Sequence, residues 1–131
     1  MNTPTYNNPS PTILVIENEV SNRILVERVL STRGYRCLSA SNGREALALL
    51  DHERVDLILT DLSMPVLDGY RTTQLIRARP GLANVPIVAV TAFALSDEGE
   101  AAKQIGCTEY LTKPFKPRQL LEVVDRLLPH R

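Results

Sequence analysis

Tyr35 to Ala40 reads as a strand, and short apolar runs recur along the chain at Ile13-Leu14-Val15-Ile16, Val55 to Asp61, Pro86 to Val90 and Tyr110-Leu111-Thr112. They are rich in Val, Ile and Leu and lack the polar alternation of a half-exposed strand, which predicts strands covered on both faces by helices. The first is predicted over Thr12 to Glu17 and the last over Glu109 to Thr112. Between the runs, apolar residues return at helical spacing. A first helix carries Val20, Ile24, Leu25, Val29 and Leu30 and stops at Gly34. A second, introduced by Ser41-Asn42-Gly43, carries Ala46, Leu47, Leu49 and Leu50 and ends near His52. A third runs from about Gly69 to Arg77, with Tyr70, Leu75 and Ile76, before Arg79-Pro80-Gly81 breaks it.

Ser96 reads as the N-cap of a short fourth helix, with Asp97 and Glu98 favourable against its dipole and Gly106 at its far end. The last helix starts near Pro117 and sets Leu120, Leu121, Val124, Leu127 and Leu128 on one stripe, although Lys116 is a weak residue for its cap. Strand and helix thus alternate along the whole chain, which predicts an α/β fold with a parallel sheet.

The 131 residues bound the chain to one globular domain that buries roughly two-thirds of its unfolded surface. The domain is expected over residues 12–128, behind a polar, disordered tail at 1–11 and ahead of a short end at 129–131. With 15 basic and 15 acidic side chains there is no net field to attract nucleic acid or an anionic membrane. No apolar run is long enough to span a bilayer, and the tail lacks the regions of a signal peptide, so a cytoplasmic protein is expected. Cys37 and Cys107 have no zinc-site spacing and read as buried free thiols. Met1 ahead of the tail and Leu127-Leu128-Pro129 near the end predict a complete single-domain protein.

The chemistry lies at the strand ends. Right-handed crossovers place all carboxyl ends of an open parallel sheet on one edge, where Glu17, Asn18, Asp61, Thr91 and Lys113 converge although far apart in sequence. Oxygen donors of this kind favour a hard cation such as Mg²⁺. Asp61 is placed as a nucleophile toward phosphorus, while the Thr91 hydroxyl and the Lys113 ammonium supply the donors that hold phosphoryl oxygens as charge spreads over them.

These motifs resemble the receiver domain of two-component response regulators over about Thr12 to Leu128. The matching segments are Ile13 to Glu19, Asp61 with Met64-Pro65 and Asp68-Gly69, Val90-Thr91-Ala92-Phe93, and Tyr110 to Phe115. The stretch from Val85 to Ala94 is similar to single-domain regulators of the cell-division type and to receivers of hybrid kinases. The resemblance implies a flavodoxin-like (βα)5 sandwich with a five-stranded sheet of order 2-1-3-4-5. It implies phosphorylation of Asp61 by a sensor histidine kinase or a histidine phosphotransfer protein. Mg²⁺ would be held by Glu17, Asn18, Asp61 and the backbone carbonyl of Ser63. Lys113 would contact the phosphoryl group, Thr91 would move toward it, and Tyr110 would turn inward, changing a surface that binds a downstream protein target. Such a protein is a phosphoacceptor, not an enzyme with turnover.

One position departs from the pattern. The family usually has carboxylates at both positions 17 and 18, and Asn18 is an amide, so weaker metal binding is expected. Asn18 is also the only support for the alternative of a pseudo-receiver, a binding scaffold with the same fold that phosphate does not switch. A haloacid dehalogenase phosphatase would need a DxD pair on its first strand, and Asp61-Leu62-Ser63 lies on the third. A flavin or nucleotide module would need a Gly- or Ser/Thr-rich loop where Glu17-Asn18-Glu19 stands.

Overall fold

The apolar runs form a five-stranded sheet in which every neighbouring pair is parallel. The computed structural model describes residues 10–62, 69–91 and 106–128. The elements are β1 (Thr12–Ile16), α1 (Val20–Ser31), β2 (Arg36–Ala40), α2 (Gly43–Leu50), β3 (Leu57–Asp61), α3 (Gly69–Arg77), β4 (Ile87–Thr91), β5 (Glu109–Thr112) and α4 (Pro117–Leu127). The strand order is β2-β1-β3-β4-β5, the doubly wound arrangement that the family resemblance implies. The helix expected from Ser96 lies outside the described residues.

Period-two alternation divides the core into two layers. On one face Ile13, Val15, Leu57, Leu59, Val88 and Val90 pack against Val26 and Leu30 of α1 and Leu120 and Val124 of α4. On the other, Leu14, Ile16, Ile58, Ile87 and Ala89 pack against Ala46 of α2 and Ile76 of α3. The three central strands are buried along their whole length, whereas β2 and β5 at the edges are not. This is why the central runs carry no polar alternation.

Helix α1 corrects the predicted stripe. Val20, Ile24 and Leu25 are 57%, 44% and 59% exposed, and the buried positions are Val26 and Leu30, one turn apart. Apolar residues at 20, 24, 25, 26, 29 and 30 surround most of the helix, so spacing alone does not say which of them face the sheet. In α4 the stripe is narrower than expected: Leu120, Val124 and Leu128 are buried, while Leu121 and Leu127 are only partly so.

The helix ends follow local chemistry. Glu19 caps α1, its Oε1 accepting from Ser21 Oγ at 2.6 Å and Asn22 N at 3.3 Å. Asn42 caps α2 and accepts from Glu45 N at 2.8 Å, while Glu45 Oε1 accepts from Ser41 N at 2.7 Å. A lysine side chain has no acceptor, and at α4 Gln119 supplies the bond instead, its Oε1 accepting from Lys116 N at 2.7 Å. Gly34, the predicted stop of α1, has φ of 81°, in the left-handed region that a side chain disfavours.

The first two strands are each one residue shorter at one end than predicted, leaving out Glu17 and Tyr35. Tyr35 is nevertheless buried, and its hydroxyl donates to Asp125 Oδ1 at 2.5 Å, tying the α1–β2 turn to α4; Arg33 pairs with the same carboxylate.

Cys107 is buried as expected, whereas Cys37 is only half-buried. Burial pushes both thiols up from the ordinary 9.0 to about 11. The folded chain therefore keeps these thiols protonated where the unfolded chain ionises them, so their contribution to stability is complete below pH 9 and lost as pH rises toward 11. The midpoint of urea unfolding is expected to fall between pH 9 and 11, and less so in a Cys37→Ala/Cys107→Ala chain. An identical pH slope in both proteins would exclude the thiols as its source.

Candidate functional site

Strand parity gathers the polar residues before any side-chain contact is considered. Glu17 continues the alternation of Ile13 and Val15, Asp61 that of Leu57 and Leu59, and Lys113 that of Leu111. All three therefore leave the carboxyl edge toward the face covered by α1 and α4. Lys113 Nζ donates to Asp61 Oδ2 at 2.9 Å across 52 residues of sequence. Asp61 is 4% exposed and Glu17 is 7% exposed.

The acidic pair is electrostatically loaded. Burial raises the Glu17 carboxyl above its ordinary value, and the adjacent Asp61 carboxylate adds to that rise, against the Glu19 N–H and the Lys113 ammonium, which lower it. Glu19 N donates to Glu17 Oε2 at 2.9 Å. One ammonium thus faces two carboxylates. Their oxygens, held together out of water with an excess of negative charge, suit a hard cation. Among the described residues no cluster of three or more His, Cys, Asp or Glu forms. Residue 18, where a further carboxylate would stand, is an exposed asparagine.

Thr91, at the end of β4, is 1% exposed, and its carbonyl accepts from Lys113 N at 2.8 Å, so the backbones carrying these two residues are bonded directly. Tyr110 is half-buried on the edge strand β5, opposite Ala89, and packs against the α2/α3 layer. Ser63, Met64, Pro65 and Asp68, and Ala92-Phe93, lie outside the described residues. Glu19 is engaged as the cap of α1 and does not replace the missing carboxylate at 18.

Three features of the site are not read from the sequence. Gly69 opens α3 directly against the end of β3: a Cβ there would lie 2.7 Å from the Asp61 carbonyl oxygen and 2.7 Å from Leu62 Cα. Arg23, from the second turn of α1, donates through Nη1 to the Glu17 carbonyl at 2.8 Å. A cavity of about 450 Å³ extends from Glu17, Asp61 and Lys113 between α1 and the loop after β5, with Val26, Leu59 and Phe115 among its apolar walls. Of the three, Gly69 alone belongs to a sequence motif, Asp68-Gly69.

The comparisons with known proteins agree with this architecture. Residues 13–125 match the response regulator receiver domain family. The polar-differentiation response regulator DivK of Brucella anthropi is 32% identical over 116 residues, covering 88% of this chain and 94% of DivK. The sensor histidine kinase GacS of Pseudomonas protegens is 37% identical over 124 residues, which are 92% of this chain but 13% of that protein. The receiver domain of the sensor histidine kinase PA1611 of Pseudomonas aeruginosa, solved with a magnesium ion coordinated in its active site cleft, is 37% identical and superposes with a TM-score of 0.85, covering 93% of this chain and all of that domain. The parallel sheet in the order β2-β1-β3-β4-β5, the carboxylates at its edge and the match along most of the length lead to one conclusion: the chain belongs to the response regulator receiver domain family.

Proposed function

We propose that residues 12–128 act as a Mg²⁺-dependent phosphoacceptor, in which Asp61 takes a phosphoryl group from a phosphohistidine of a sensor histidine kinase or a histidine phosphotransfer protein. The observation that carries this reading is the buried Asp61 carboxylate, paired at 2.9 Å with Lys113 and crowded by Glu17 at the carboxyl edge of the sheet. An Asp61 oxygen would form the new bond to phosphorus as the bond to the donor's imidazole nitrogen breaks, and the nitrogen leaves with that electron pair and takes up a proton. Lys113, already at the acceptor, would stay with the transferred group and neutralise part of its charge.

Glu17, Asp61, the side-chain oxygen of Asn18 and the backbone carbonyl of Ser63 would hold the cation. Bound Mg²⁺ supplies charge neutralisation that lets a carboxylate approach phosphoryl oxygens of the same sign. The magnesium reported in the PA1611 receiver cleft supports this choice of ion.

Phosphorylation adds about 1.5 to 2 negative charges and strong acceptors beside Lys113 and the end of β4. The Thr91 hydroxyl would move toward the phosphoryl group. Because Thr91 and Lys113 are joined through their backbones, that movement would reach β5, where a half-buried Tyr110 would turn inward and alter the surface offered to a downstream protein.

Incubation with Mg²⁺ and acetyl phosphate tests the reading. The intact protein should gain the mass of one phosphoryl group, mapped to the peptide containing Asp61. A protein that stays unmodified under conditions that label another receiver domain would favour the pseudo-receiver reading.

Asn18→Asp is expected to tighten Mg²⁺ binding about tenfold, because it adds a full negative charge beside Glu17 and Asp61. Calorimetric metal titration of both proteins at one ionic strength checks this. Equal or weaker binding would mean that residue 18 does not face the ion.

A further inference from the structure

The two side-chain ligands proposed from the β1–α1 connection, Glu17 and Asn18, stand outside regular secondary structure, between the last residue of β1 and the cap of α1. Their placement therefore depends on individual bonds. Glu17 N donates to Ala40 O at 3.0 Å, which fixes the start of the loop to β2. Glu19 N donates to Glu17 Oε2 at 2.9 Å, which orients the Glu17 carboxylate. A further contact is made by the guanidinium of Arg23, whose Nη1 donates to the Glu17 carbonyl at 2.8 Å. Arg23 is itself anchored to the loop, since its backbone N–H donates to the Glu19 carbonyl at 3.0 Å in the first turn of α1. The side chain reaches back over that turn and closes a ring from Glu17 through Glu19 to Arg23.

We propose that Arg23 is a positioning residue that holds the Glu17–Asn18 loop in its cation-binding conformation through this bond to the Glu17 carbonyl. The proposal rests on the reading of Glu17 and Asp61 as a Mg²⁺ site. A long cationic side chain beside a divalent cation site has two effects of opposite sign. Its charge repels the metal, whereas its bond to the loop organises the oxygens that bind it. Partners that orient metal ligands typically change affinity by about 10- to 100-fold when removed. This Arg23 contact is to the backbone that carries one of the proposed ligand carboxylates, not to a carboxylate oxygen.

The sign of one substitution separates these effects. Arg23→Ala is expected to weaken Mg²⁺ binding about tenfold in a calorimetric titration, although it removes a positive charge. Amide hydrogen exchange gives a readout that needs no metal. The Glu19 N–H is expected to exchange about tenfold faster in Arg23→Ala, while the Leu59 N–H inside β3 keeps its protection. Unchanged or tighter Mg²⁺ binding would overturn the proposal. So would an unchanged rate at Glu19, or a loss of protection at Leu59 as large as that at Glu19, which would mark a general loss of stability. If the unsubstituted protein binds no Mg²⁺, the metal reading itself fails, and with it the proposed purpose of the loop.

Discussion

Asp61→Asn is expected to take up no phosphoryl group at any concentration of acetyl phosphate that labels the unsubstituted protein fully. The substitution changes almost nothing except the chemistry. The amide has nearly the shape of the carboxylate, so the buried position stays filled, and its oxygen still accepts from Lys113. What is lost is the negative charge and with it the proposed nucleophile. Circular dichroism and the thermal unfolding midpoint should therefore show a folded protein, which separates this outcome from misfolding. Phosphoryl uptake at the unsubstituted level would place the acceptor elsewhere and remove the basis for the proposed function. Lys113→Ala offers a graded comparison. It leaves Asp61 in place but strips the cation at 2.9 Å, and labelling should slow by on the order of 100-fold, in keeping with the loss of one preorganised charge at a reacting centre.

The sheet was legible in the sequence because its central strands are buried on both faces. Ile13 to Ile16, Leu57 to Leu59 and Ile87 to Val90 leave no competing pattern, and a doubly covered parallel sheet then brings every strand end to the same edge. From there the meeting of Glu17, Asp61 and Lys113 follows from the alternation of side chains. Helix α1 was less legible for the converse reason. Its apolar residues occupy most of its circumference, and only the packing of Val26 and Leu30 against the sheet distinguishes the buried side. Arg23 was invisible because its contact is to a backbone carbonyl, and any residue at position 17 has one. The half-exposed setting of Cys37 has a related origin. It lies on β2, an edge strand of mixed burial in which Arg36 and Ser39 are exposed on either side of Cys37 and Leu38.

Gly69→Ala is expected to damage both the fold and the site, more than its chemistry suggests. Alanine is favoured over glycine inside a helix by up to about 1 kcal/mol, so the substitution would stabilise an unconstrained α3. Here the added Cβ would meet the Asp61 carbonyl oxygen at 2.7 Å, Leu62 Cα at 2.7 Å and Leu62 Cδ2 at 2.9 Å. Two of these three atoms belong to the main chain and cannot turn aside. Overpacking against a fixed neighbour costs roughly 1–3 kcal/mol, and more where backbone must shift, which exceeds the helical gain. The displaced backbone is that of Asp61 itself, so labelling by acetyl phosphate should fall together with the unfolding midpoint. Gly34→Ala is the matching control. A Cβ at Gly34 meets nothing within 4 Å, and the cost comes only from its φ of 81°, about 1 kcal/mol for a residue forced left-handed. That variant should lose stability but keep its rate of phosphoryl uptake. A Gly69→Ala protein as stable and as readily labelled as the unsubstituted chain would show that α3 moves away from the end of β3 at little cost, and that the close approach does not position Asp61.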